Sequence, residues 1–260
     1  MKKVILTMAC AACVMSLSAQ RASDSALSAS DIKDYNRIGI SYNNTHYGYN
    51  DAYGTNHGDL GFGANGVGID YIHGFSVSSS LPLYIETGLN LDFNFATESS
   101  DKEEAAGYWF QGKTNFSDIN MQVPVNVAWK FAVGEDFSIA PYLGLNFKVH
   151  FSTRFKDKID TNVPEDILAQ IGYTKKDLEG DWVSVFDSAE DAMDGDDNTW
   201  NRFQMGWHVG VGFQYKPIYL GVQYGTDFIP AYSHKYTYDG ESETYKINTG
   251  NLKVTLGYVF

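Results

Sequence analysis

Few residues in this sequence are spaced as catalysis would require. Histidine and aspartate lie near each other at His46 and Asp51, and again at His234 and Asp239, as a general acid–base pair would. Nothing in the sequence fixes the geometry of either pair. We therefore predict no enzymatic activity, and an enzyme that modifies membrane lipids is the least favoured of the functions considered.

Two further stretches imitate ligand-binding motifs. The acidic stretch 187–197 would be a calcium loop if Gly195 were its central glycine, but Ala192 then occupies a ligand position. We predict a solvated acidic loop there, with a specific cation site as the weaker alternative. The glycine string at 61–66 has the spacing of a dinucleotide fingerprint, yet no helical pattern follows it. The sequence therefore predicts neither a metal nor a cofactor.

Charge and composition exclude several classes of protein. The 260 residues include 19 Lys and Arg against 32 Asp and Glu, and the formal net charge is -13. Nucleic-acid phosphates would repel such a chain, so we expect no nucleic-acid partner. A hydrophobic content of 43% is too high for a disordered chain.

The first residues resemble a secretory leader. Lys2 and Lys3 precede an apolar run over 4–15, and small residues precede Gln20, so we predict a signal peptide over 1–19. Both cysteines, Cys10 and Cys13, lie inside that leader. The mature chain would then have no disulfide, thiolate metal site or cysteine nucleophile. Residues 20–34 are rich in Ser and Ala and are predicted to be a flexible periplasmic segment.

From residue 35 to residue 260 the dominant pattern is strict alternation of apolar and polar side chains. Over 202–215 every odd position is apolar and no even position is. Alternation with a period of two is typical of a strand with two different faces. The pattern predicts eight strands, at about 35–47, 59–74, 82–97, 110–131, 137–152, 202–215, 218–229 and 247–260. The glycines near Asn65 blur the second strand and suggest a bulge there.

Short and long connections alternate between these strands. The short ones are 76–81, 133–136 and 216–217, and the long ones are 48–58, 98–108, 153–200 and 230–246. The longest, 153–200, contains a predicted short helix with Asn162 as its candidate N-cap, Pro164 and two acids in its first turn, and Gly172 at its end. It also has five basic and thirteen acidic residues, so most of the net charge lies in the long connections.

Two barrels fit eight alternating strands, and they differ in which face is apolar. A soluble lipocalin-like barrel has its apolar side chains inside, whereas a membrane barrel has them outside. On 202–215 the polar face is mostly glycine and glutamine, which suits a narrow lumen better than a surface in water. We predict a lumen filled by a paired charge network, whose candidate members are Arg37, Asp70, Glu86, Asp92, Lys130, Lys148, His150, Arg202, His208 and Lys253.

The last strand has the most specific signal. Leu256, Tyr258 and Phe260 alternate up to a terminal phenylalanine, which resembles the C-terminal assembly signal of bacterial outer-membrane proteins. With the leader and the alternating connections, the chain resembles the outer-membrane β-barrel domain family, PorT-like or of the small OmpA/OmpX type. This resemblance implies an all-β, eight-stranded antiparallel transmembrane up-and-down barrel over 35–260, with one long, partly helical extracellular loop over 153–200.

The same resemblance implies a cellular context. We expect the outer membrane of a Gram-negative cell, both termini in the periplasm and a monomer that contacts outer-membrane lipids and the barrel-assembly machinery. The expected role is structural or surface-interacting, through the acidic loops and an extracellular protein or cation. The alternative is a narrow, porin-like barrel for transport or ligand capture.

Overall fold

The computed structural model describes residues 32–50, 56–186, 199–238 and 241–260. The predicted signal peptide, most of the segment 20–34 and the acidic stretch 187–197 lie outside the described residues. Within them the chain is almost entirely β-strand. The strands are β1 Tyr35–Asn50, β2 Asn56–Ser76, β3 Leu83–Ser99, β4 Glu103–Ala105, β5 Tyr108–Trp129, β6 Phe131–Ala132, β7 Phe137–Thr161, β8 Val183–Ser184, β9 Thr199–Trp200, β10 Phe203–Tyr215, β11 Ile218–Asp227, β12 Tyr232–Tyr238 and β13 Glu241–Val259.

The eight segments that alternate in the sequence are the eight long strands of the sheet, namely β1, β2, β3, β5, β7, β10, β11 and β13. Several of them extend further than the alternation predicts, because they continue into the long connections. The strand β7 reaches Thr161, nine residues beyond the predicted end at 152. The predicted all-β antiparallel fold is confirmed.

Each long strand pairs antiparallel with the long strands that precede and follow it in the chain. The first and last long strands also pair with each other, over fourteen residue pairs from Arg37 with Val259 to Asn50 with Lys246. The first residues of β1, the last residues of β13 and the three short connections therefore lie at one end of the sheet. The long connections lie at the other end, where β4, β8, β9 and β12 add short pairings.

The long connection after β7 contains one short helix, α1 Glu165–Gln170. The residue at its N-cap position is Pro164, with no side-chain cap, so the predicted N-cap at Asn162 is wrong. The Asn162 side chain instead accepts a hydrogen bond from the Trp109 amide, 2.7 Å away, which ties the connection to β5. Gly172 has the positive φ of 85° that the predicted end of the helix requires. A 3-10 helix follows at Lys175–Leu178.

The sheet has two register shifts among the described residues. Pairing of β1 with β2 is regular at Asn65, and the shift falls where Tyr47 pairs with Phe62 and Tyr49 with His57, so the extra residues 58–61 lie in β2. A second shift falls where β5 pairs with β7, at Phe151. The bulge predicted from the glycines of β2 therefore lies in that strand, but beside Gly61 and not at Asn65.

The glycines around Asn65 have a packing reason instead. A Cβ on Gly68 would stand 2.1 Å from the Asp92 carboxylate and 2.6 Å from the Ser41 hydroxyl. Glycine is required there because polar side chains from the neighbouring strands occupy the space.

No helix among the described residues is long and apolar enough to cross a membrane.

Candidate functional site

The two faces of the sheet have the reverse of the usual distribution of polarity. Apolar side chains stand on the exposed face, where Ile40 is 65% exposed and Leu256 is 54% exposed. Charged and amide side chains stand on the buried face, where Asp92 is 1% exposed and Lys253 is 3% exposed. Buried charges are costly unless they are paired and hydrogen-bonded. The buried charged face is therefore the candidate functional site.

The part of this face near the chain termini is built around Arg37 and Glu86. Arg37 Nη1 lies 3.5 Å from Glu86 Oε1, and its guanidinium lies 3.8 Å over the Tyr219 ring. The Tyr35 hydroxyl donates to the same carboxylate. Lys130 lies beside this group, 5.2 Å over the Tyr35 ring, and donates to a glutamine side chain of β10. One arginine, one carboxylate and two tyrosines thus form a compact layer.

The middle of the buried face holds a three-membered ion cluster. Lys253 Nζ lies 2.6 Å from Asp70 Oδ1 and 3.2 Å from Asp92 Oδ1. The two carboxylates also accept hydrogen bonds from neighbouring strands, Asp92 from the Asn43 amide and Asp70 from the Thr255 hydroxyl. Side chains of β1, β2, β3 and β13 therefore meet at one lysine.

A further ion pair lies closer to the long connections. Lys148 Nζ lies 2.7 Å from Asp227 Oδ2, and Thr249 donates to the same oxygen. Both members of the pair are more than nine-tenths buried.

His150 and Asp118 form the hydrogen-bonded pair nearest the long connections. His150 Nδ1 lies 2.6 Å from Asp118 Oδ1, and its Nε2 lies 2.8 Å from the side-chain oxygen of Gln204. Both ring nitrogens therefore lie within hydrogen-bond distance of a side-chain oxygen. With its second nitrogen engaged by Gln204, the ring is held as a structural group.

His208 is linked by hydrogen bonds to the layer around Arg37 and Glu86. Its Nε2 lies 2.6 Å from Asn126 Oδ1, and the Asn126 amide donates to Glu86. Because the Asn126 nitrogen is used on Glu86, its oxygen must accept, and His208 Nε2 is the donor. The amide thus links the histidine to the Arg37 layer.

Of the ten residues that the sequence places in a charge network, eight are buried in these layers, and Lys130 is half-buried at their edge. Arg202 does not belong to them. It precedes the first residue of β10, so the alternation of that strand does not govern its direction. Its side chain is exposed and lies 4.0 Å over the Phe186 ring.

Sequence reasoning missed two buried carboxylates that complete the pairs. Asp118 has the same parity on β5 as the buried Gln122, and Asp227 has the same parity on β11 as the buried Tyr219. Alternation alone could have found both. The partners of Lys148 and His150 would then have been present among the candidates.

Packed aromatic side chains lie on the buried face beyond His150 and Asp118. Tyr47 and Phe62 stack with ring centroids 4.6 Å apart, and Phe116 contacts both rings edge-on. The cluster continues through Phe155 to Trp200. We call these five residues the aromatic cap. It separates the charged layers from the long connections.

At the opposite end of the buried face, the residues just before β1 pack against the strands. Ile32 is buried against Tyr84, Ala128 and Tyr142. Asp34 accepts a hydrogen bond from the Ser76 amide, 2.7 Å away, and this bond lowers the pKa of the Asp34 carboxyl.

The space left between the charged side chains is small. One cavity beside Arg37 and Glu86 and another beside Lys148 and Asp227 each have a volume of about 10 Å³. A single water needs about that much room. At these two places the described side chains thus leave room for about one water each.

The exposed ends of β5 and β7 have a separate set of ion pairs. Lys113 Nζ lies 2.6 Å and Lys158 Nζ 2.8 Å from the two oxygens of Asp160, and these hydrogen bonds lower the pKa of Asp160. Lys156 pairs with Glu179 of the long connection and lowers its pKa in the same way. The Lys156–Glu179 pair joins the connection to β7, and the Lys113–Asp160 pair joins β5 to β7. Surface pairs of this kind contribute little individually.

Among the described residues no three His, Cys, Asp or Glu side chains are grouped to hold a metal ion. The second member of each histidine–aspartate pair, Asp51 or Asp239, lies outside the described residues, as does the acidic stretch. The predicted assembly signal, Leu256, Tyr258 and Phe260, lies on the exposed face at the end of β13.

The fold and the site define a class: an antiparallel sheet that exposes apolar side chains and buries paired charges. No family model and no curated protein sequence matches the chain. Among solved structures it is similar to Ail of Yersinia pestis in complex with the heparin analogue sucrose octasulfate, at 13% identity, covering 86% of this chain and 99% of that one, with a TM-score of 0.30.

Two further solved structures show a similar overlap. Neisserial surface protein A is 11% identical over 85% of this chain and 96% of that one, with a TM-score of 0.35. The outer membrane protein OprG of Pseudomonas aeruginosa is 9% identical over 88% and 96%, with a TM-score of 0.36.

Proposed function

We propose that this chain is a monomeric, eight-stranded β-barrel of the bacterial outer membrane, with a structural or surface-interaction role at the cell surface. The observation that carries the proposal is the inverted polarity of the sheet. A protein in water exposes charges and buries apolar side chains, whereas the exposed face here is apolar on all eight long strands. Hydrocarbon is the solvent that favours this arrangement.

The pairing register supports closure of the eight long strands into a barrel. If each residue is followed to its partner on the next strand, starting from Asn36, the path returns to β1 at His46, ten residues further along the strand. The residues passed are His73, Thr87, Val125, Leu145, Trp207, Thr226 and Gly250. Eight strands with this displacement tilt by about 41° and have a radius of about 8 Å, from the standard strand spacings.

The tilt also gives the height of the apolar surface. On β10 every exposed position from Phe203 to Tyr215 is apolar, twelve residue steps in all. At about 3.3 Å per residue and this tilt, the row is about 30 Å high. A bilayer hydrocarbon core has about that thickness.

A charge placed on the exposed face tests the membrane proposal directly. Replacing Ile40, near the middle of its apolar row, by lysine should cost about 2–4 kcal/mol in a lipid bilayer. Replacing His46 by lysine, on the same face but beyond the row, should cost about 0–1 kcal/mol. The measurement is urea unfolding in lipid vesicles. Equal small effects, together with protein that stays soluble without detergent, would favour the lipocalin-like alternative.

The surface role rests on the end of the barrel with the long connections. The connection 153–200 has five basic and thirteen acidic residues. Its described part is folded onto β7 through β8 and through the Lys156–Glu179 ion pair, and Val163, Leu168 and Val185 are buried. We propose that this scaffold presents the acidic stretch 187–197 to a basic partner or cations outside the cell.

The surface role is tested by changing charge while the fold is kept. The six acidic residues of 187–197 are replaced by their amides, and binding of a fluorescent oligolysine peptide to intact cells is measured. A matched variant controls for net charge by replacing six other acids of the long connections, namely Glu98, Asp101, Glu103, Glu104, Glu241 and Glu243. The proposal predicts a larger loss with the first variant, and equal binding by both variants would contradict it.

Transport through the barrel is the second candidate. The small cavities of the buried face, the aromatic cap and the packing of the residues just before β1 favour a barrel that does not conduct in this state. We therefore expect no discrete conductance in planar bilayers for the unaltered protein. Discrete channels would favour the transport alternative.

A further inference from the structure

Two polar clusters stand on the exposed face of β1 and β2, one near each end of the apolar rows. Near the long connections, the Tyr42 hydroxyl and the Asn44 amide both donate to the Asn65 carbonyl oxygen. Near the termini, the Tyr71 hydroxyl donates to Asn36 Oδ1, and His73 Nδ1 lies 2.8 Å from the same atom. Between the clusters the exposed side chains are aliphatic, namely Ile38, Ile40, Val67 and Ile69.

The clusters fix the height of the apolar surface on this face. Asn36 and Asn44 are eight residue steps apart on β1, and His73 and Asn65 are eight steps apart on β2. With the rise per residue and the tilt used above, eight steps correspond to a height of about 20 Å. Outward from Asn44 and Asn65, the next exposed positions, His46 and Gly63, have no apolar side chain. Outward from His73, the exposed Phe75 ring packs on the His73 ring, so the aliphatic part of this face ends at both clusters.

The opposite face of the proposed barrel is higher. Four strands away from β1 and β2 lie β7 and β10. Their exposed apolar rows run from Ile139 to Phe151 and from Phe203 to Tyr215, twelve steps each, or about 30 Å. The apolar surface is therefore about 10 Å shorter on one side than on the other.

A tilt of the whole barrel cannot remove this difference, because a tilt moves both boundaries of one face in the same direction. On β1 and β2 a polar cluster lies at each end of the apolar surface, so its two boundaries are closer together than on the opposite face. Lipid next to this face must therefore shorten, or amides and a histidine must enter hydrocarbon.

We infer that the β1–β2 face is a lipid-contact surface that holds the bilayer locally thinner than the β7–β10 face does. The inference rests on the proposed membrane function. The partner is the phospholipid bilayer itself, and the recognised property is its hydrocarbon thickness. The asymmetry lies beside the β1–β13 pairing, so the thinned lipid would border the place where the first and last strands meet.

The purified full chain is reconstituted into vesicles of dilauroyl, dimyristoyl, dipalmitoleoyl and dioleoyl phosphatidylcholine, and the urea midpoint of unfolding is measured in each. The inference predicts that the midpoint falls as the acyl chains lengthen. The double variant Asn44→Leu with Asn65→Leu raises the short face and should reduce that fall by at least half. If the double variant folds poorly, the single variant Asn65→Leu, at an exposed position, is measured in its place. This single change should reduce the fall of the midpoint in part.

The matched control lengthens a different face by two leucines. Thr97→Leu with Ser117→Leu changes two positions of β3 and β5 just beyond their apolar rows. This variant should show the same fall as the unaltered protein. A midpoint independent of chain length, or equal behaviour of the two double variants, would overturn the inference. Failure of every protein to insert into any vesicle would instead contradict the proposed membrane function.

Discussion

Replacement of Lys253 by methionine should be among the most damaging single changes in the buried face. Methionine keeps most of the side-chain length but removes the charge that Asp70 and Asp92 share at 2.6 and 3.2 Å. At an effective dielectric constant of about 20, these attractions amount to about 6 and 5 kcal/mol. Desolvation of the three ions offsets part of that gain.

The net effect follows from what the substitution leaves behind. Asp70 and Asp92 would remain buried, near each other and without their cation, because both are at most 5% exposed. Breaking a buried pair in this way costs about 3–5 kcal/mol. A loss of 4 kcal/mol is roughly a thousandfold in the folding equilibrium.

The assay is urea unfolding of the protein in lipid vesicles, followed by tryptophan fluorescence and by mobility on gels without boiling. The triple variant Lys253→Met, Asp70→Asn and Asp92→Asn should recover part of the loss, because no buried charge remains unpaired. The control is Lys216→Met, since Lys216 pairs with Asp136 at 3.3 Å where both side chains are about half exposed. That change should cost about 0–1 kcal/mol. Equal effects of the Lys253 and Lys216 substitutions would refute the reasoning.

Three further changes probe other parts of the molecule. Gly68→Ala should lower the urea midpoint, because its Cβ would meet the Asp92 carboxylate at 2.1 Å, whereas Gly63→Ala, where no atom lies within 4 Å, should leave it unchanged; equal midpoints would contradict this. Phe116→Ala should cost about 3–5 kcal/mol in the same assay, because the ring is 3% exposed and contacts three other aromatic rings; a loss below about 1 kcal/mol would show that the cap is not tightly packed. Because the pKa of Asp160 is lowered in the folded state, its contribution is present above the ordinary pKa near 4 and is lost as the pH falls through the folded value, so protease protection of the β5–β7 hairpin should weaken only at acidic pH.

The sequence predicted the strands well where the alternation is strict. Phe203 to Tyr215 alternates without exception, and β10 has those bounds. The faces also follow from parity, since a strand has only two faces. Parity fails at Arg202, which lies outside the strand, and it changes at Phe151, where a register shift moves the later residues of β7 to the opposite face. Such a shift leaves no mark in the alternation up to that residue.

The pairing of charges could not be predicted in the same way. Lys253 lies 183 residues from Asp70 and 161 residues from Asp92 along the chain, and each strand offers several inward positions. Only the register around the sheet selects which of them meet. The sequence likewise predicts Asn162 as a helix cap, but its side chain accepts from Trp109 because β5 and β7 run side by side there.

The sequence by itself determined the positions of the long strands, the two opposite faces and the acidic excess of the long connections, because a period of two and a composition are local properties. The tertiary structure alone decided which ions are partners, where the aromatic cap lies and how high the apolar surface is on each side. Those features depend on a displacement of ten residues around the ring of paired strands. That displacement is the sum of all the strand registers, and no single stretch of the chain contains it.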